Sequence, residues 1–259
     1  MKIECSIVSD VGVVRHNNED NFYLNGLFRE DISEDHIEYS ICYEKKNFLA
    51  AVFDGMGGEE NGELASLEAA RILSKYQKDN FDQIRSSYIT EANESVCSKM
   101  SEMDNRRMGS TLAIVKIQKG KLSFCNVGDS PIYIFRNNNL QQLSINHNEA
   151  QSLFDMGLIS KKELRTSKKK NRLTQHLGIF EEEMIIEPYF REDIPLREDD
   201  YILLCSDGLT DMVEEEEIET ILMDAGNVHQ MADLLVNTAL ENGGRDNVTL
   251  LLLHVIKAK

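Results

Sequence analysis

A chain of 259 residues that is 41% hydrophobic and holds only three prolines can bury a sizeable core without a linker-like stretch to divide it. Its formal net charge of −17 argues against a surface built to grip nucleic acid or an anionic membrane, since both need basic patches. The cysteines, Cys5, Cys42, Cys97, Cys125 and Cys205, are odd in number and never at CxxC spacing, which argues against zinc or a disulfide framework and fits reduced core thiols of a cytoplasmic protein.

Strand-like runs come first, at Ile3 to Val8, Phe22 to Leu24, Tyr39 to Tyr43 and Phe48 to Phe53. Apolar residues near helical spacing then mark Glu63 to Tyr76 and Phe81 to Met103 as helices. After Gly109, short β-type runs return at Thr111 to Ile117, Leu122 to Val127, Ile132 to Phe135 and Leu140 to Leu143, with Lys119-Gly120 and Asn137-Asn138-Asn139 as turn signals. A polar, helical excursion covers about 148–172. Strands resume at Met184 to Phe190 and Tyr201 to Cys205, helices at Glu215 to Met223 and Val228 to Glu241, and a last strand at Val248 to Val255. That order is α+β rather than βαβ. It predicts two antiparallel β-sheets packed as a central sandwich with antiparallel helix pairs on both outer faces, a four-layer αββα arrangement, and residues 1–259 as one domain. Met1-Lys2-Ile3-Glu4-Cys5 does not read as a signal peptide, and the apolar run Val248 to Ile256, broken by His254, is too short to span a bilayer.

The run Asp54-Gly55-Met56-Gly57-Gly58 puts a carboxylate at the end of a strand and a glycine turn behind it. Glu19-Asp20 before Phe22, Ser206-Asp207-Gly208 after Cys205, and Asp246-Asn247 before Val248 repeat the design. Any one aspartate at a strand end is most simply a turn device. A sandwich that gathers its strand ends on one rim brings all of them together, and close carboxylates repel by several kcal/mol unless cations or protons intervene. The inference is a carboxylate-bound metal cluster. A nucleotide cradle does not fit, because the sixth position counted from Gly55 is Glu60 and no GK[ST] follows. A cysteine-dependent phosphatase needs arginine six places after its cysteine, and no cysteine here has one. Asn146-His147-Asn148-Glu149 is read as a loop, not a ligand set.

In order, Ser9-Asp10-Val11-Gly12 through Arg15, Asn18-Glu19-Asp20-Asn21, Val52 to Gly58, Gly109-Ser110-Thr111, Asn126-Val127-Gly128-Asp129-Ser130, Leu173-Thr174 with Leu177-Gly178, Ser206-Asp207-Gly208-Leu209 with Asp211, and Gly243 to Thr249 resemble the motifs of the metal-dependent protein phosphatases of the type-2C class, in its bacterial branch. The resemblance implies hydrolysis of phosphoserine and phosphothreonine in proteins by a metal-bridging water, without a covalent phosphoenzyme. Asp54 would bridge two ions, Asp207 and Asp246 would complete the first site, and Glu19 with the Gly55 carbonyl would serve the second. Asp129, Asp207 and Asp211 match a weaker third site. Oxygen ligands suit manganese or magnesium. Arg15, four residues before Glu19, would clamp phosphate oxygens bidentately.

Many eukaryotic members have histidine after the Asp-Gly pair; Met56 stands there, and a thioether cannot donate a proton to the leaving alkoxide. Asp10, Asp20, Asn21, Thr111 and Asn247 are read as residues that fix turns or orient ligands. The excursion matches the family's flap and sets Lys161, Lys162, Arg165, Lys168, Lys169, Lys170 and Arg172 against the single acid Glu163, which suggests guidance of acidic phosphoprotein substrates. An opposing Ser/Thr protein kinase is the implied partner. The alternatives are a catalytically silent phosphoprotein-recognition module on the same fold and, more remotely, a calcium-stabilised adhesion module, though no EF-hand pattern is present.

Overall fold

The computed structural model describes residues 1–45, 47–57, 61–103, 107–224 and 226–258; Gly58 and Glu60 of the glycine turn lie outside them. One six-stranded sheet runs in the order β11 (Asn139–Gln142), β10 (Ile132–Arg136), β13 (Tyr201–Cys205), β14 (Val248–Lys257), β1 (Lys2–Asp10) and β4 (His36–Glu44). The other runs β12 (Tyr189–Pro195), β9 (Lys121–Val127), β8 (Leu112–Gln118), β5 (Asn47–Phe53), β2 (Asn21–Leu24) and β3 (Leu27–Phe28). All pairings between these strands are antiparallel. A short ribbon joins β6 (Gly55–Met56) to β7 (Gly109–Ser110).

Side-chain alternation explains the sandwich. Ile3, Cys5 and Ile7 of β1, with Leu251, Leu253 and Val255 of β14, meet Phe48, Ala50 and Val52 of β5 in the core between the sheets. The opposite phase, Val8, Leu250 and Leu252, faces Met231, Leu235 and Val236 of α8 (Val228–Glu241), beside α7 (Glu215–Asp224). On the other flank Leu49, Ala51 and Phe53 pack on α1 (Gly62–Lys75) and α3 (Ile89–Glu102). Both faces of β14 are therefore covered, which is why its sequence is an unbroken leucine run; each such leucine contributes roughly 1.5–3 kcal/mol by burial. The predicted four-layer α+β sandwich is the observed one.

Two elements differ from their sequence reading. The helix expected over Phe81 to Met103 is α2 (Phe81–Gln83), a π-helical stretch at Ile84–Tyr88, and α3. Ile84, Tyr88, Ala92, Val96 and Met100 repeat every four residues, which overshoots the 3.6-residue turn of an α-helix; one wider turn offsets the drift, and all five stay buried. The strand expected at Met184 to Phe190 instead occupies Tyr189–Pro195. Pro188 has no N–H to donate, so pairing starts after it with Tyr189 opposite Asn126, and Ile185 is left exposed. The excursion holds α4 (Glu149–Asp155), α5 (Lys161–Thr166) and a 3₁₀ turn, Lys168–Asn171. The remaining short helix, α6 (Asp207–Thr210), follows β13 directly.

Candidate active site

Strand register brings the predicted acids together. Pairing of β2 with β5 sets Asn21 opposite Phe53, so Glu19 and Asp20, just before β2, lie beside Asp54 and Gly55, just after β5. Pairing of β13 with β14 sets Cys205 opposite Leu250, and Ser206 N donates to Thr249 O at 2.9 Å, which brings Asp207 next to Asp246. Hydrogen bonds then tie one sheet's end to the other's. Ser206 Oγ donates to Asp20 Oδ2 at 2.7 Å, and Glu19 N donates to Asn247 Oδ1 at 2.8 Å. Asn247 Nδ2 donates in turn to Val11 O and Asn17 O, both at 2.9 Å. Thr111 Oγ1 accepts from Asp54 N at 3.0 Å, and Thr111 N donates to Asp54 O at 2.9 Å. Arg15 joins the same pole through Nη2, 2.7 Å from Asp246 Oδ2. Asp129 follows β9, and Asp211 closes α6 with its N–H on Asp207 O at 2.8 Å.

The field at this pole is strongly negative. Burial pushes the Asp54 carboxyl well above its ordinary value, and Asp20, Asp207, Asp129 and Asp246 push it the same way. Burial, then Asp129, Asp211, Asp246 and Asp20, do the same to Asp207. Glu19 is raised by burial and by Glu63, against the opposing field of Arg15. Among the described residues no hydrogen bond or ion pair reaches the carboxylates of Asp54 or Asp207. Acids crowded together without donors are the chemistry of a hard-cation site, and the all-oxygen donor set fits manganese or magnesium. No three of these acids offer atoms all within 4.8 Å of one another; among the described residues only Glu38, His229 and Asp233, on a different edge of the first sheet, do so. At the other cluster, His229 Nε2 lies 3.1 Å from Glu38 and 3.5 Å from Asp233, and its buried Nδ1 has no hydrogen-bond partner among the described residues.

Gly62 and Arg29, which sequence reasoning passed over, hold the acids in place together with Gly208 of the Ser206-Asp207-Gly208 run. A Cβ on Gly62 would lie 2.8 Å from Glu19 Oε2, and one on Gly208 would lie 2.0 Å from Asn247 O, so both glycines are required by close approach. Arg29 is 1% exposed; it donates to Asn18 O and Glu34 O, and its charge opposes the upward shift of Asp20. Asp10 accepts from Gly12 N at 2.8 Å and pairs with His36, so it fixes a turn. His147, as expected, is a loop residue, its Nδ1 accepting from Gly128 N at 3.3 Å. The one local hint of this scaffold is the density of Asn, Ser and Gly around each acid.

The raised pKa values set the sign of a pH effect. Burial takes Asp20 up to about 7, against hydrogen bonds from Ser206 and Thr249, and takes Asp129 up to about 6, against one from Asn148. Both groups hold protons in the fold at pH values where the unfolded chain has lost them. Ion-free protein should therefore gain stability as pH falls from about 8 through about 6, and the gain should level off near about 4, where unfolded carboxyls also protonate. Thermal melts in excess chelator check this, and a steady loss of stability over the same descent would contradict it.

Residues 25–246 match the family model described as Protein phosphatase 2C. The serine/threonine phosphatase stp of Listeria welshimeri is 34% identical over 255 residues, covering 95% of this chain and 93% of that one. The S. agalactiae serine/threonine phosphatase structure superposes with a TM-score of 0.81 at 27% identity, covering 97% and 99% of the two chains. The catalytic domain of PstP, solved in complex with two manganese ions, superposes with a TM-score of 0.76 at 27% identity, covering 98% and 99%. The chain belongs to the protein phosphatase 2C family. Within that family it is a metal-dependent serine/threonine protein phosphatase.

Proposed function

We propose that the acidic pole holds two divalent cations and that Glu19, Asp54, the Gly55 carbonyl, Asp207 and Asp246 are their ligands, with Asp129 and Asp211 completing a third, weaker site beside Asp207. The observation that carries this is the convergence of Asp54 and Asp207, neither with a donor among the described residues, from strand ends in different sheets. Two manganese ions in the PstP complex support manganese, and magnesium suits the same oxygen donors. When bound, the ions supply a water of lowered pKa and offset charge on the phosphoryl oxygens.

The chain's own residues do the rest. Asp54 and Asp207 fix where positive charge sits. Arg15 is 48% exposed, so its guanidinium can turn from Asp246 to a phosphate and clamp two of its oxygens. Met56 offers the leaving alkoxide no proton. The chain acts as one catalytic domain in the cytoplasm and opposes a Ser/Thr protein kinase, and its flap, at about 148–172, guides acidic phosphoproteins. Phosphate release from a phosphoserine- or phosphothreonine-bearing protein should rise to saturation across a manganese titration and fall to background in excess chelator. Undiminished release in chelator would overturn the reading.

A further inference from the structure

A second set of metal-ligating groups gathers on β4, the edge strand of the first sheet. Ile37 and Ile41 turn inward to the core between the sheets, so His36 and Glu38 share the outer face by strand alternation. Glu38 stands opposite Val8, which packs against Met231, Leu235 and Val236 of α8 on that face. His229 and Asp233 lie four residues apart on α8 and therefore share one side of the helix. Strand and helix each bring one histidine and one carboxylate to the same place.

The spacing is that of ligands around one ion. Glu38, His229 and Asp233 offer donor atoms all within 4.8 Å of one another, and His36 Nε2 lies 3.9 Å from Glu38 Oε2. Two ligands at zinc bond lengths and a tetrahedral angle stand about 3.4 Å apart. The contacts of 3.1, 3.5 and 3.9 Å in this cluster bracket that value. Burial first and Glu38 second raise the Asp233 carboxyl above its ordinary value, against His229 and His36, so all four groups share one field.

A network of ion pairs explains less of this than a metal does. His229 Nδ1 lacks a partner whichever nitrogen holds the proton, so that ring does not discriminate between the two. His36 does. Its Nδ1 lies 2.8 Å from Asp10 Oδ2, an acceptor, so Nδ1 carries the proton and the Nε2 of the neutral ring presents a lone pair toward the Glu38 carboxylate. Two acceptors facing each other repel until a cation comes between them. A carboxylate on the far nitrogen is also the contact that orients an imidazole toward a metal and raises its basicity.

We infer that His36, Glu38, His229 and Asp233 form a zinc site that clamps α8 to the edge strand β4. Two carboxylates and two neutral imidazoles balance one divalent charge. The imidazole nitrogens separate this site from the acidic pole, whose oxygen donors suit manganese or magnesium. The cysteine spacing that argues against zinc concerns thiolate sites, and no thiolate is used here. A turn of the His36 ring, 55% exposed, brings in the fourth donor. Zinc would fasten the free edge of the first sheet to the helix that covers β1 and β14, independently of the ions at the pole.

The test is titration of the full chain with zinc at neutral pH in saturating magnesium, for wild type, His229→Gln, His36→Ala and Asp54→Asn. Wild type should bind one zinc ion more than His229→Gln, whose amide keeps an N–H donor beside Glu38 and so preserves the fold. His36→Ala should weaken that event by at least about tenfold, the least that losing even an orienting partner costs. Asp54→Asn, which alters only the acidic pole, should leave it unchanged. Cobalt in place of zinc should give the strong visible absorption of a four-coordinate, nitrogen-ligated ion in wild type and Asp54→Asn but not in His229→Gln. At a hundredfold excess over its dissociation constant, zinc should raise the melting temperature of wild type by roughly 5–10 °C more than that of His229→Gln. Equal zinc stoichiometry in wild type and His229→Gln, or loss of the event in Asp54→Asn, would overturn the inference and leave an ion-pair cluster only. Neither result would bear on the reading of the acidic pole.

Discussion

Asp54→Asn is expected to lower phosphate release by at least about 10³-fold, a loss of roughly 4 kcal/mol of transition-state stabilisation, and to make the ion-free protein more stable. The two effects share one cause. The Asp54 carboxyl is raised well above its ordinary value by burial and by Asp20, Asp207, Asp129 and Asp246, so its ionised form destabilises the fold at neutral pH. An amide of the same shape keeps Thr111 Oγ1 accepting from the backbone N–H of residue 54 and removes one charge from the crowd. Each kcal/mol of relieved repulsion should raise the melting temperature by roughly 2–4 °C in a chain of this size. Saturating manganese should reverse the order, because wild type gains binding energy that the variant cannot. Melts with chelator and with manganese, alongside phosphate release, measure both. An ion-free Asp54→Asn protein less stable than wild type, or one stabilised by manganese to the same extent, would show that Asp54 is not a shared ligand.

Such a trade of stability for function marks the difference between what the sequence displays and what it conceals. Strand ends carrying Asp54, Asp207 and Asp246 are legible because each acid sits next to its own strand and turn signal, and the leucine run of β14 announces a strand covered on both faces. Strand neighbours are not legible in that way. That Glu19 lies beside Asp54 follows from the register of β2 on β5, which local residues do not encode. Arg29 and Gly62 carry no motif, since their roles depend on what approaches them: Asn18 O and Glu34 O for one, the Glu19 carboxylate for the other. The misplaced strand near Pro188 has the opposite cause. An apolar run, Met184 to Ile186, gave a β signal that backbone hydrogen bonding could not use. The flap's net positive charge was plain in the sequence, whereas the engagement of Lys170 with Asp211 appears only once α6 and the 3₁₀ turn are brought together.

The second large effect belongs to a residue that touches neither phosphate nor, on this reading, any ion. Asn247 is 5% exposed and uses its whole side-chain amide: Nδ2 donates to Val11 O and Asn17 O, and Oδ1 accepts from Glu19 N. It thereby fastens the loop carrying Arg15 and Glu19, which leads into the second sheet, to the start of β14 in the first. Asn247→Ala leaves three backbone groups without their partner, at about 1–3 kcal/mol each where water cannot replace it. A loss of about 3 kcal/mol or more is expected, lowering the melting temperature by roughly 6–12 °C. Because Glu19 is the acid released, the ion it serves should bind about tenfold more weakly, so half-maximal activity should require more manganese, with much of the rate recovered at saturation. Asp54→Asn should recover nothing at any manganese concentration. That contrast separates a ligand from the residue that positions one. An Asn247→Ala protein with wild-type melting temperature and an unchanged manganese requirement would mean that the two sheets hold Glu19 in place without this amide.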